Sequence, residues 1–186
     1  MGDFTRIFAI EDDLDYVQFL RQVLLDHSAQ PPAFTFDYAP SLGEGLEALR
    51  SRGGDAVLLD LNLPDSQGIE TYRRLNARFP TLAVVILTAL GDESLAAEAI
   101  RGGAEDFLPK TGLGAAVLRR ALRYAIQRRK LLNQTKRIIL AAADGMAVVS
   151  SEGGTRFVNP AAEAILGRRS EELVGRPFPH PVDPGE

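Results

Sequence analysis

Ala56-Val57-Leu58-Leu59-Asp60-Leu61-Asn62-Leu63-Pro64-Asp65-Ser66-Gln67-Gly68 is the stretch that decides the fold. Four apolar residues run without alternation into a carboxylate, the pattern of a parallel strand covered on both faces that delivers Asp60 to its carboxyl edge. Pro64 and Gly68 punctuate the loop that follows. Open α/β sheets bind ligands outside the carboxyl ends of their strands, which raises Asp60 above an ordinary surface acid. For a lone strand-end Asp, a helix cap or loop role is the plainer assignment, so its company elsewhere in the chain matters.

That company is on both sides. Upstream, Arg6-Ile7-Phe8-Ala9-Ile10 is another short apolar run and ends in Glu11-Asp12-Asp13. Downstream, Leu82 to Leu87 ends in Thr88, and Asp106-Phe107-Leu108 ends in Pro109-Lys110. Ala33 to Ala39, with Phe34 and Phe36 on one face, supplies a further strand. Helical spacing lies between them: about Asp15 to His27, from the Ser41 cap through Leu49, at Ile69, Tyr72, Leu75 and Phe79, and from Asp92 through Ile100. Pro31-Pro32, Gly53-Gly54 and Gly102-Gly103 break these segments. Five strands alternating with helices predict right-handed crossovers and a doubly wound, five-stranded parallel sheet of flavodoxin-like type.

Composition bounds the function classes. The 186 residues are 45% hydrophobic and 25% charged, enough for one ordinary domain plus an appendage or two small domains. Absence of Cys excludes disulfides, thiolate metal sites and thiol nucleophiles. No apolar run approaches the roughly 18 residues of a membrane span, and Met1-Gly2-Asp3-Phe4 does not begin like a signal peptide, so the cytoplasm is the expected compartment. The net charge of −4 conceals three segments. Residues 1–114 hold 9 Lys/Arg and 18 Asp/Glu, residues 115–140 hold 8 Lys/Arg and no acid, and residues 141–186 hold 4 and 7.

The predicted sheet gathers Glu11, Asp12, Asp60, Thr88 and Lys110 at one edge. Carboxylates so close repel by about 1 to 4 kcal/mol per pair. They persist when a cation binds or a proton is held. Hard oxygen ligands of this kind suit Mg²⁺. A carboxylate is also a covalent nucleophile for a phosphoryl group, provided the developing charge is neutralised. Mg²⁺ and Lys110 would supply that charge, with Thr88 donating to a phosphoryl oxygen.

Residues 5 to about 125 resemble the receiver domain of two-component response regulators. On matched positions, the acidic pair falls on Glu11 and Asp12, the phospho-acceptor on Asp60, the switch hydroxyl on Thr88, the switch aromatic on Phe107 and the lysine on Lys110. Phe107 also reads plainly as a core residue of a short strand, and Asp13 as a helix-start residue. The resemblance implies Mg²⁺ held by Asp12, Asp60 and the backbone carbonyl of Asn62, with Glu11 acting mainly through water. It implies a histidine kinase, phosphotransfer protein or small phosphodonor as the phosphoryl source. It further implies self-catalysed phosphotransfer and slow dephosphorylation rather than a dedicated enzyme. Two positions depart from the pattern: Thr111 replaces the proline that usually follows the lysine, and Leu90, two after Thr88, cannot orient water, while Asn62 could.

The last helix of the sheet domain is predicted to overrun it, from Ala115 to about Ala142. Leu118, Leu122, Ala125, Leu132 and Ile139 form one heptad seam, and Val117, Ala121, Tyr124, Leu131 and Ile138 a second. Either predicts a homodimer through residues 115–140. Nucleic acid is not expected, since no base-reading module follows the basic residues. Beyond it, a hairpin over residues 144–158 and a helix from Asn159 resemble the opening half of a PAS sensory domain, on the signature Val158-Asn159-Pro160-Ala161-Ala162. The expected organisation is a receiver over 1–125, an extended helix over 115–142 and a partial PAS-like segment over 143–186. Two strands and short helices do not close a core alone, so the chain is expected to be part of a longer protein, or its half-domain to pair with another copy. His27 and His180 read as solvated. Two other readings compete: a non-phosphorylated docking scaffold, and an aspartyl-phosphate phosphatase of the haloacid dehalogenase type, which needs an acid where Asn62 stands.

Overall fold

The computed structural model describes residues 5–25, 34–89 and 93–179, so His27, Pro31, Pro32, Leu90, Asp92 and His180 lie outside the described residues. The chain divides into two compact units, Met1–Lys130 and Leu131–Glu186. In the first unit the elements run β1 (Thr5–Ile10), α1 (Leu14–Leu25), β2 (Phe34–Ala39), α2 (Leu42–Arg52), β3 (Ala56–Asp60), then two two-residue strands, β4 (Asn62–Leu63) and β5 (Ser66–Gln67), α3 (Ile69–Arg78), β6 (Ala83–Thr88), α4 (Glu93–Arg101), β7 (Asp106–Pro109) and α5 (Ala115–Ala141). The segment after Asp60, expected as a plain loop, is therefore a miniature antiparallel hairpin, with Asn62 opposite Gln67 and Leu63 opposite Ser66.

The sheet has the order β2-β1-β3-β6-β7 and every pairing is parallel. Side chains alternate across it, and both faces are filled. Ile7, Ala9, Leu58, Val85 and Leu87 pack with Leu20 and Leu24 of α1 and Leu118 and Leu122 of α5. Phe8, Ile10, Val57, Leu59, Val84 and Ile86 pack with Leu42 and Leu49 of α2 and Tyr72 and Leu75 of α3. This two-sided burial is why the strand sequences read as unbroken apolar runs. At Gly45 a Cβ would stand 2.6 Å from Ile10 Cδ1, so glycine is what lets α2 lie so close to β1.

The starts of α1 and α2 are satisfied by side chains. Asp13 Oδ1 accepts from the amides of Asp15 (2.9 Å) and Tyr16 (3.1 Å), capping α1. At α2, Ser41 Oγ accepts from Glu44 N at 3.3 Å, while Asp65 reaches across from the β4–β5 turn. Its Oδ1 and Oδ2 accept from Leu42 N and Gly43 N, each at 2.8 Å. Three free amides of one helix end are thereby paired. The loop that follows Asp60 is tied to a neighbouring helix by the same contacts.

α5 carries its first half into the core of the first unit. Leu118, Ala121, Leu122, Ala125 and Ile126 are buried there, which removes Leu118, Leu122 and Ala125 from any seam between chains. A heptad pattern that faces the protein's own sheet looks the same in sequence as one that faces a partner. Val117, Tyr124, Leu131 and Ile138, seven residues apart, stay exposed.

In the second unit β8 (Ala147–Val149) and β9 (Thr155–Val158) pair antiparallel, followed by α6 (Pro160–Leu166) and α7 (Ser170–Leu173). Val158, Ala162 and Leu173 form its small core. Asn159 is fully buried and uses its whole hydrogen-bonding capacity. Its Oδ1 accepts from Met146 N (2.8 Å) and Ala162 N (2.9 Å), and its Nδ2 donates to Ile139 O (3.1 Å) and Asp144 O (2.9 Å). Among the described residues no helix is long and apolar enough to cross a membrane.

Burial works against the Asp65 charge, but the amide hydrogen bonds from Gly43 and Leu42 outweigh it and hold its pKa below the ordinary carboxylate value. A depressed folded value means that this cap stabilises fully above about pH 4 and fades as pH falls through the folded value. Asp65→Ala is expected to cost about 1 kcal/mol at pH 7 by urea denaturation, with the difference from wild type shrinking in acid.

Candidate functional site

Parallel register assembles the site. Ile10 lies opposite Leu59, so Glu11 is level with Asp60. Asp60 lies opposite Leu87, one residue before Thr88, and Thr88 lies opposite Pro109, one residue before Lys110. The ends of four strands, β1, β3, β6 and β7, thus meet at one place.

Lys110 joins two of those ends. Its Nζ donates to Asp60 Oδ2 at 2.6 Å and to Glu11 Oε1 at 2.8 Å, and Glu11 Oε2 stands 2.7 Å away. Glu11 is 0% and Asp60 6% exposed, while Asp12 is on the surface. Asp60 Oδ1 accepts from Asn62 N at 2.9 Å, which aims the carboxylate along the first step of the hairpin. Glu11 Oε1 also accepts from Asp13 N at 3.2 Å. Burial pushes Glu11 up to about 7; the Lys110 hydrogen bond opposes this and the charge of Asp60 adds to it. Burial acts against the Lys110 charge as well, but its hydrogen bonds to Asp60 and Glu11 win and raise it.

Thr88 is buried at the same edge, and its hydroxyl donates to Leu108 O at 3.3 Å rather than to any of the carboxylates. Phe107 pairs with Ile86 in register but is 38% exposed, so the plain core reading of this residue fails. It sits on the outermost strand, β7, whose outer edge no further strand covers. Tyr16 was not among the residues singled out from sequence. Its ring centroid lies 5.1 Å from Lys110 Nζ. The available signal was spacing, since Tyr16 follows Asp12 by four residues at the start of a helix.

The donor set suits a hard divalent cation. One oxygen from each of Glu11, Asp12 and Asp60 lies within 4.8 Å of the others. Glu11 Oε2 is buried and lacks an aligned hydrogen-bond donor among the described residues, and the Lys110 ammonium already serves this cluster as a cation. Oxygen-only ligands, one open to water, match what Mg²⁺ takes.

Comparison with known proteins follows from this geometry. Residues 7–123 match the family model of the response regulator receiver domain, and residues 133–186 match that of the PAS fold. The chain is 31% identical over 171 residues to the response regulator MprA of Mycobacterium ulcerans (strain Agy99), covering 90% of this chain and 68% of that one. It is 29% identical over 152 residues to the C4-dicarboxylate transport transcriptional regulatory protein DctD of Rhizobium meliloti (strain 1021), covering 80% of this chain and 32% of that one. Against two other curated relatives it spans 59% and 52% of their length. Among solved structures, a response regulator receiver domain protein from Clostridium thermocellum superposes with a TM-score of 0.61 at 29% identity, covering 69% of this chain and 99% of that one. None of these findings supports the phosphatase or scaffold readings.

Removing the ammonium leaves two buried carboxylates face to face. Lys110→Met is expected to destabilise the metal-free protein by roughly 3 to 5 kcal/mol at pH 8, measured by urea denaturation in chelator. The loss shrinks as pH falls, because Glu11, already raised by burial and then without the Lys110 hydrogen bond that opposes this, takes up a proton and the repulsion goes.

Proposed function

This chain belongs to the response regulator receiver family, with a PAS fold behind the receiver, and from that premise we propose that it is a signalling switch phosphorylated on Asp60. The observation that carries the reading is the Asp60 carboxylate, nearly buried at the sheet edge with Lys110 Nζ at 2.6 Å and the carboxylates of Glu11 and Asp12 beside it. An Asp60 oxygen attacks the phosphorus of a phosphohistidine, or of a small acyl phosphate. The new O–P bond forms as the P–N or P–O bond to the donor breaks; a histidine leaving group takes up a proton, and a carboxylate leaves as the anion. Asp60 becomes an acyl phosphate, which water later cleaves to restore the carboxylate.

Lys110 neutralises charge beside Asp60 Oδ2, where the transferred oxygens gather. Asp12, Asp60 and the backbone carbonyl of Asn62, with Glu11 acting mainly through water, would hold Mg²⁺, which would supply the remaining charge neutralisation. Thr88 exchanges its Leu108 acceptor for a phosphoryl oxygen, and Phe107 moves inward behind it, so the phosphoryl group biases two states of the β6–β7 edge. The donor is a histidine kinase or a phosphotransfer protein, and the compartment is the cytoplasm. The phosphorylated state passes along α5 to the PAS segment and to an output elsewhere in a longer chain.

The test is intact mass with acetyl phosphate, with and without Mg²⁺, on wild type and Asp60→Asn. A single Mg²⁺-dependent phosphoryl adduct in wild type and none in the variant is the expected result. An unmodified wild type under all conditions would overturn the reading.

The relay is proposed to run through a homodimer on the exposed α5 stripe of Val117, Tyr124, Leu131 and Ile138. Arg123, Lys130 and Arg137 precede the last three of these, and α5 holds no acid, so a parallel pair of such helices brings like charges together. Added salt is therefore expected to tighten the dimer by screening. Leu131→Glu with Ile138→Glu is expected to abolish it, each lost apolar side chain being worth about 2 kcal/mol. Sedimentation at low and high ionic strength reads both effects. Binding of a polyanion to monomers, weakened by salt, would show the helix to be an anion-binding face instead.

A further inference from the structure

Tyr16 stands on the first full turn of α1, partly buried against the core that α1 and α5 share. Its ring centroid is 5.1 Å from Lys110 Nζ, within the range of a cation–π contact. The face of the ring also stacks, tilted by 37°, on Phe19 at 5.5 Å, which fixes its orientation. The Tyr16 hydroxyl is buried and has no hydrogen-bond partner among the described residues. Burial, then the charges of Glu11 and Asp60, hold this phenol protonated well past its ordinary range.

Lys110 has three N–H donors and a long flexible stem, and only 19% of its side chain is exposed. Two donors go to Asp60 and Glu11. Among the described residues, the aromatic face of Tyr16 adds an attraction beyond the two carboxylates to hold the ammonium over that fork. An orphaned hydroxyl costs stability, so the ring rather than the hydroxyl is what the position uses.

We propose that Tyr16 is a positioning residue for phosphoryl transfer: its ring holds the Lys110 ammonium in the Asp60–Glu11 fork and shields it from water. The proposal rests on Asp60 being the phospho-acceptor, and its contact with Lys110 can be read without that chemistry. Loss of the ring frees the ammonium to swing to solvent, so charge neutralisation at Asp60 has to be reassembled in each transfer.

The experiment compares wild type, Tyr16→Phe and Tyr16→Leu in the full chain. Phosphorylation by acetyl phosphate at saturating Mg²⁺ gives the rate, and NMR of the Lys110 side-chain amine and ε-methylene, without phosphodonor, gives the contact. Tyr16→Phe is expected to stay within about twofold of wild type and to keep the ring-current shift at Lys110. Tyr16→Leu is expected to lose that shift and to react about tenfold more slowly, equivalent to about 1.4 kcal/mol, with the KM for phosphodonor changed far less than the maximal rate. A Tyr16→Leu protein with wild-type rate and unchanged Lys110 signals would overturn the proposal, as would a Tyr16→Phe protein as slow as Tyr16→Leu. If wild type takes no phosphoryl group, the acceptor reading fails, while the Lys110 signals still decide whether the ring holds the ammonium.

Discussion

A single ammonium between two buried carboxylates is the constraint on which the site depends. Glu11 and Asp60 arrive at the sheet edge by register, with no freedom to separate, because the strands that carry them are hydrogen-bonded neighbours whose residues leading to that edge are buried. Such a pair cannot remain charged without compensation. Lys110 provides it from a third strand, so the cluster is also a clasp closing β1, β3 and β7 at their carboxyl ends. Its geometry resists reduction to separate residues: Asn62 N orients one oxygen of Asp60, Lys110 the other, and Asp13 N shares the oxygen of Glu11 that Lys110 uses.

The far end of the first unit has its own clasp, built on a residue that falls at a seam position of the heptad pattern through Leu118, Leu122 and Ala125. Arg129, 13% exposed, sits 2.7 Å from Glu105 Oε1 and donates to Gly103 O at 2.6 Å and Pro80 O at 3.1 Å. Pro80 and Gly103 lie just before β6 and β7, so α5 is tied across the edge opposite Asp60. Glu105 is itself buried, and Arg129, with Arg128 at 3.9 Å from its other oxygen, makes that burial tolerable.

Most of the fold was legible because buried parallel strands write themselves as apolar runs, and four of the five strands ended in polar residues of the right kinds. What stayed hidden were long-range polar contacts, which leave no local period. Asp65 looked like turn chemistry after Asp60 and proves to cap α2, twenty-two residues upstream. Arg129, a charged residue at a seam position, proves to be an anchor. The seam at Leu118, Leu122 and Ala125 failed for a related reason: periodicity says that a helix has an apolar face and leaves open what covers it. Phe107 was legible as a strand residue, but exposure on an edge strand depends on neighbours that the local sequence does not contain.

The Arg129 clasp also fixes where the receiver can be cut or joined. A chain ended at residue 125, where the sequence resemblance stops, would keep every strand and the Asp60 site yet strip Glu105 of its counter-ion. Fusions to a foreign output therefore have their natural splice point after Lys130, the last residue of the first unit. Donor sequences grafted there inherit a helix already held in phase by three acceptors, and modular exchange of outputs becomes a matter of counting residues from that arginine.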